Sequence, residues 1–161
     1  PPRGLMSTAS AQFADLLHQE HMLADALHQQ LELERDALAA NDLQALQDLQ
    51  QHSAQAVENL QAHAAARLQW MQDHDLPISS ECLNHPLVAT AANIHRLWYD
   101  LEIQYHRNQT LSAALADVVL AARHRTQQKL KILRGQHNDP HLYNNKGTTS
   151  GLNHGQGFIQ A

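Results

Sequence analysis

Histidine is the residue type in this sequence with the most capacity for chemistry. The chain has 13 His, against 11 Lys and Arg together. His18 and His21 lie three residues apart, and two carboxylates stand three residues before a histidine, Asp15 before His18 and Asp25 before His28. Each of these spacings would place the two side chains on one face of a helix. Because carboxylate and imidazole pairs hold metal ions in helical bundles, one interpretation is a metal-binding bundle that uses His18, His21 and His28.

The placement of these residues nevertheless disfavours a metal site. A dinuclear bundle needs comparable pairs on two different helices, with further inward-facing Glu, whereas both carboxylate–His pairs here share one predicted helix. Some of the other His, such as His52 and His63, stand beside Gln or Ala, at positions typical of a solvated face. We therefore predict no metal or other cofactor. The His content predicts instead a surface that gains positive charge in mild acid, since His has a reference pKa of about 6.5.

Other catalytic or binding chemistry also lacks a sequence basis. The single cysteine, Cys82, cannot form an intramolecular disulfide, which favours a reducing compartment. The sequence has no phosphate loop, nucleophile elbow or zinc-protease motif, and we predict that the protein is not an enzyme. A formal charge of -5 excludes a strongly basic nucleic-acid footprint. No apolar run approaches the roughly 18 residues of a membrane span, so we expect a cytoplasmic protein.

The composition predicts an all-α protein. There are 25 Leu, 24 Ala and 19 Gln, but only 4 Val and 5 Ile, and aromatic residues make up 4%. The best helix formers therefore dominate, and the residues that fill strands are scarce. This composition disfavours a sandwich, a barrel or an α/β enzyme.

Apolar residues recur at spacings of three and four in three segments, which predict helices over about residues 10–39, 42–73 and 87–133. Asn41 and Asp42 can form a tight turn and cap the second helix. Leu76-Pro77 ends it, because a residue before proline avoids the helical region. The segments predict a three-helix antiparallel coiled-coil bundle with a long third helix.

Both ends of the chain are expected to lie outside the bundle. Arg134 and Gly135 provide a stop for the third helix. The residues that follow, 136–161, are rich in Gly, Asn, Thr and Ser and predict a flexible tail. We expect residues 1–9 to be disordered. Residues 1–5 are expected to be a cloning remnant, since Met6 reads as a natural first residue.

The helix lengths predict an unpartnered segment. At 1.5 Å per residue, the first two helices are about 45–48 Å long and the third about 70 Å. The third helix should therefore pass the hairpin turn near residue 118 while still carrying apolar residues. Such an end is a candidate site for a partner helix. The alternatives are that the helix bends at 123–128 and folds back, or that the chain forms a dimeric structural coiled coil.

Polar residues interrupt the apolar stripes at Glu20, Glu34, Arg67 and Asn108. In a hairpin that turns near residue 41, Arg67 would lie opposite Asp15, with Glu20 about one turn further along. We interpret Glu20, Arg67 and Asn108 as residues that fix the register of the helices.

These residues resemble the FlgN family of flagellar type III export chaperones over about residues 10–147. The shared features are Glu20 and Glu34 in the first helix, Arg67 late in the second, and Asn108-Gln109 in the middle of the third. The most specific feature is Leu142-Tyr143-Asn144-Asn145-Lys146-Gly147, in which Tyr precedes Gly by four residues just after the last helix.

The resemblance implies a cytoplasmic chaperone that binds hook-associated proteins of the hook-filament junction. It also implies docking on the flagellar export gate and contact with the export ATPase complex. In this family the end of the third helix is the client site, and here that site would comprise Leu111, Leu115, Val118, Val119, Ala122, Leu130 and Leu133. Tyr143 and Gly147 would serve in gate docking. Without a client, the exposed helix end leaves a homodimer as a further expectation.

Overall fold

The computed structural model describes residues 2–133 and confirms the predicted all-α bundle. Three long helices follow one another as α1 (Pro2–Ala39), α2 (Leu43–Asp73) and α3 (Ala92–Leu133), with a short 3-10 helix over Ser80–Asn84 before the last. No strand occurs in this part of the chain. None of the helices within it is both long and apolar enough to cross a membrane.

The turn between α1 and α2 forms where the sequence predicts it. Asn41 has φ of 56°, in the left-handed region that Asn tolerates better than most residues. The amide of Asp42 then donates to the carbonyl of Ala37 at 2.9 Å, which closes the end of α1. The Asp42 carboxylate accepts from the amide of Ala45 at 3.1 Å and caps α2.

The connection between α2 and α3 is longer than predicted. The third helix begins at Ala92 and not near Leu87, because residues before it close the end of the bundle. Val88 is fully buried, and the Leu87 carbonyl accepts from Ser10 Oγ at 2.6 Å. The 3-10 helix contributes buried Cys82 and Leu83 to the same end. The spacing of apolar residues alone does not distinguish these residues, which close the end of the bundle, from the first turn of a helix.

The N-terminus also differs from the expectation. We predicted that residues 1–9 are disordered and that the first helix starts near Ser10, whereas α1 already begins at Pro2. The prediction followed the apolar stripe, and the stripe first becomes regular at Phe13, which is fully buried. A helix can extend beyond its packed face, so the stripe marks where packing starts and not where the helix starts.

The helices run up, down and up, and α1 is the central element, since α2 and α3 both pack mainly on it. Contacts from α1 to α3 join Glu20 to Tyr105 and Ala24 to Asn108, so these two helices are parallel. Contacts from α1 to α2 join Glu20 to Arg67 and Glu34 to Ser53, so this pair is antiparallel.

Aromatic rings hold together the end of the bundle opposite the hairpin turn. The Phe13 and Trp70 rings stack with centroids 5.1 Å apart, and Trp98 from α3 lies 6.5 Å from Phe13. The three rings therefore come from three different helices. A row of Leu side chains, including Leu17, Leu27 and Leu60, continues the core toward the turn.

Candidate functional site

A charged cluster lies inside the bundle where all three helices meet. Glu20 on α1 is fully buried. Arg67 on α2 donates to it through Nε at 2.5 Å and through Nη2 at 3.1 Å. Tyr105 on α3 donates its hydroxyl to the same carboxylate at 2.5 Å. A fork of two Arg hydrogen bonds on one carboxylate is the strongest geometry for such a pair.

The surroundings of Arg67 and Tyr105 shift the pKa of both side chains upward. Burial lowers the pKa of Arg67, but the hydrogen bond and the charge of Glu20 outweigh this effect and raise it overall. Burial, reinforced by the neighbouring carboxylate, raises the pKa of Tyr105 far above its ordinary value. The Arg67 guanidinium also lies 5.7 Å from the centre of the Trp98 ring. Arg67 thus stays charged and Tyr105 stays a neutral phenol, and their hydrogen bonds to Glu20 join all three helices.

The predicted partner of Arg67 is close to the observed one but not identical. The sequence placed Asp15 opposite Arg67, with Glu20 a turn away, whereas Asp15 is exposed and Glu20 forms the pair. The hairpin geometry therefore shifts the facing positions by about one helical turn. Tyr105, the third member of the cluster, was missed as a polar contact, since it reads as one more apolar residue of the stripe.

Asn108 lies in a second buried polar layer between α1 and α3. Its Nδ2 donates to the Ala24 carbonyl at 2.8 Å. Its Oδ1 accepts from Gln104 Nε2 at 3.1 Å and lies 3.0 Å from His28 Nδ1. The sequence singled out Asn108 but not Gln104, although Gln104 shares its helix face at a spacing of four.

Glu34 and Ser53 form a third polar contact nearer the hairpin turn. Ser53 Oγ donates to Glu34 Oε2 at 2.6 Å, and both residues are buried. Burial raises the pKa of Glu34, and the Ser53 hydrogen bond offsets part of this effect. Ser53 could have been suspected from its place on the apolar stripe of α2, seven residues after Leu46.

The distal part of α3 extends past the hairpin turn. Residues that contact each other between α1 and α3 are 80 to 85 positions apart. Ala39, the last residue of α1, is therefore level with about residues 119–124, while α3 continues to Leu133. Roughly ten residues, or about 15 Å of helix, project beyond the turn.

The predicted client residues run from the core, along the last turn of α1, to this projecting end. Leu115 is buried and Leu111 packs against the core. Val118 is 46% exposed and Val119 is half-buried. Ala122, Leu130 and Leu133 belong to the helix, but their side chains lie outside what the structure describes. Tyr143 and Gly147, the predicted docking residues, lie beyond the described residues altogether.

The structure does not gather the histidines considered for a metal site. His18 is exposed and His21 half-buried, while His28 is buried and contacts Asn108 and Glu32. Over residues 2–133 no group of three or more His, Cys, Asp or Glu side chains is close enough to hold a metal ion. Cys82 is buried, and this burial raises the pKa of its thiol to about 11, which suppresses the reactive thiolate.

The fold and the buried polar layers define a small all-α helical bundle. The FlgN protein family matches the chain over residues 6–151. No curated protein and no solved structure matches it. The chain belongs to the FlgN family, whose members are flagellar export chaperones that bind flagellar export substrates.

Proposed function

We propose that this protein is a cytoplasmic chaperone that binds hook-associated proteins and delivers them to the flagellar type III export apparatus. Family membership supports the general function. The projecting end of α3 is the observation that supports a client site, because it continues an apolar stripe past the helices that cover that stripe elsewhere. A client helix would cover it and hide aggregation-prone surface of both proteins.

The client surface starts at Val118. Leu111 and Leu115 are packed in the bundle, so they are available to a client only if α3 moves away from α1. Val118 is exposed without any such movement. We therefore assign Val118, Val119, Ala122, Leu130 and Leu133 to the client site, and keep Leu111 and Leu115 as its structural base.

Export-gate docking belongs to a separate segment in this proposal. Tyr143 and Gly147 follow the client helix in the chain, at the motif that the family resemblance singles out. They would contact the export gate and the export ATPase complex while α3 still holds the client. Separation of the two segments allows client binding and docking to be tested independently.

Co-purification with a co-expressed hook-associated protein tests the client site. A chain that ends at Leu120 should lose the client, whereas a chain that ends at Gly135 should retain it, because only the first lacks the projecting end of α3. Circular dichroism at matched temperature checks that both chains keep the bundle. Undiminished binding by the shorter chain would place the client site elsewhere.

Point variants refine this test. Val118→Ser should weaken client binding about tenfold or more, since a half-exposed Val at a helix interface loses its apolar contact. Ile103→Ser is the matched control, because Ile103 is a similar residue on α3, 59% exposed.

Mass measurement without a client separates the chaperone from a dimeric coiled coil. A stable dimer that excludes the client would favour the structural alternative.

A further inference from the structure

Positive charge is concentrated at the projecting end of α3. Four of the 11 Lys and Arg residues fall between position 123 and the end of α3 at Leu133, and no acidic residue lies between Asp117 and Asp139. The rest of the chain is acidic, since 14 of the 16 Asp and Glu residues come before position 103. The chain is thus acidic as a whole, whereas the end of its third helix has net positive charge.

The helix that α3 packs on elsewhere has the complementary charge. α1 carries six acidic residues and two basic ones, together with the Leu side chains that meet α3. Where α1 ends at Ala39, α3 continues with an apolar stripe and with cations such as Arg125, which is exposed. The position that α1 would occupy if it were longer is therefore suited to another helix with apolar and acidic residues.

We infer that the projecting end of α3 selects an amphipathic client helix of net negative charge, which lies on it in continuation of α1. This inference rests on the proposed function and adds the chemistry of the client. Apolar contacts supply affinity, and the opposite charges speed association and reject helices that are basic. An anionic membrane surface is the competing partner for a basic amphipathic helix. The structure favours a protein helix, because the apolar stripe of α3 continues a face that already packs on α1.

Two designed peptides of about three heptads, with identical Leu positions, serve as probes. One carries Glu at the flanking positions and the other Lys. The full chain should bind the Glu peptide at least about tenfold more tightly, and this preference should shrink between about 50 mM and 500 mM NaCl as charges are screened. Equal binding of the two peptides at low salt would overturn the inference.

Variants locate the effect on α3. Arg125→Gln combined with Lys129→Gln should reduce Glu-peptide affinity severalfold and leave the thermal midpoint unchanged, because both positions lie past the hairpin turn. Arg35→Gln combined with Arg96→Gln removes the same charge from exposed positions of α1 and of the start of α3, and should leave the affinity unchanged. Equal losses in both double variants would show a general charge effect and contradict the assignment.

Vesicles of equal phosphatidylglycerol and phosphatidylcholine test the competing partner. Binding to these vesicles, without preference between the peptides, would replace the client helix with a membrane surface and refute the inference.

The co-purification experiment distinguishes a failure of the charge selection from a failure of the proposed function. If a hook-associated protein binds but the peptides bind equally, only the charge selection is wrong. If the Glu peptide binds and no hook-associated protein does, the proposed function is wrong and the helix chemistry stands.

Discussion

Removal of the Arg67 guanidinium should strongly destabilise the described bundle. Arg67 is 7% exposed and its partner Glu20 is fully buried. In Arg67→Ala, the carboxylate keeps only the Tyr105 hydroxyl as a donor within the cluster. Breaking a buried ion pair from one side costs about 3–5 kcal/mol, because a charge stays buried without its counter-charge. For a chain of this size the thermal midpoint should fall by roughly 6–20 °C.

Urea and thermal unfolding followed by circular dichroism measure this loss. Arg35→Ala is the control, since Arg35 forms only an exposed ion pair with Asp36 at 3.8 Å, and its loss should stay within about 0.5 kcal/mol. The double variant Glu20→Leu with Arg67→Met removes both charges and keeps apolar volume. It should be more stable than Arg67→Ala, because no unpaired charge remains.

Two results would refute this reasoning. A loss below about 1 kcal/mol in Arg67→Ala would mean that water replaces the guanidinium without penalty, which contradicts the burial of Glu20. A double variant as unstable as the sum of its single variants would show that the two residues act independently. In either case the cluster would not be the element that joins the three helices.

Three further predictions follow from single polar groups. Glu34→Gln should raise the unfolding free energy at neutral pH by up to about 1 kcal/mol. The raised pKa means that ionised Glu34 opposes folding. In urea titrations the stability advantage of Glu34→Gln over the unchanged protein should therefore shrink as pH falls toward the ordinary pKa of 4.5. An advantage that stays constant with pH would contradict this prediction. The pKa of Cys82 rises from 9.0 to about 11, so the unfolded chain loses this proton first and stability falls as pH rises through that window. Cys82→Ala should remove up to roughly 3 kcal/mol of this alkaline loss, which stability curves of the two proteins would show. Asp42→Ala should cost about 1 kcal/mol in thermal unfolding by removing the cap of α2, whereas Asp42→Asn should retain most of it.

The sequence was sufficient for the elements whose physics is local. The tight turn at Asn41 and the cap at Asp42 follow from side chains that act on their own backbone, and α2 accordingly begins within one residue of the prediction. The start of α3 depends on which apolar residues cover the end of the bundle. Val88 is fully buried in a turn, and nothing in its own spacing separates that position from a helical one.

The candidate site shows the same division. Glu20, Arg67 and Asn108 were identifiable because charged and amide side chains are rare on apolar stripes. Their partners depend on how far each helix is shifted along its neighbour. An error of one residue in that predicted shift changes which side chains face each other. Tyr105 is a clear case, since its ring fits an apolar stripe and only its distance to Glu20 reveals the hydrogen bond.

The polar contacts between α1 and α3 also determine a length. Leu and Ala repeat along both helices, so α3 could slide along α1 by one heptad and still bury apolar side chains. Such a slip would separate Tyr105 from Glu20 and Asn108 from the Ala24 carbonyl. It would also lengthen or shorten the projecting end by about 10 Å at the helical rise. The buried carboxylate of Glu20 and the buried amide of Asn108 therefore fix the register of α3 on α1, and with it the number of helical turns that project beyond the hairpin.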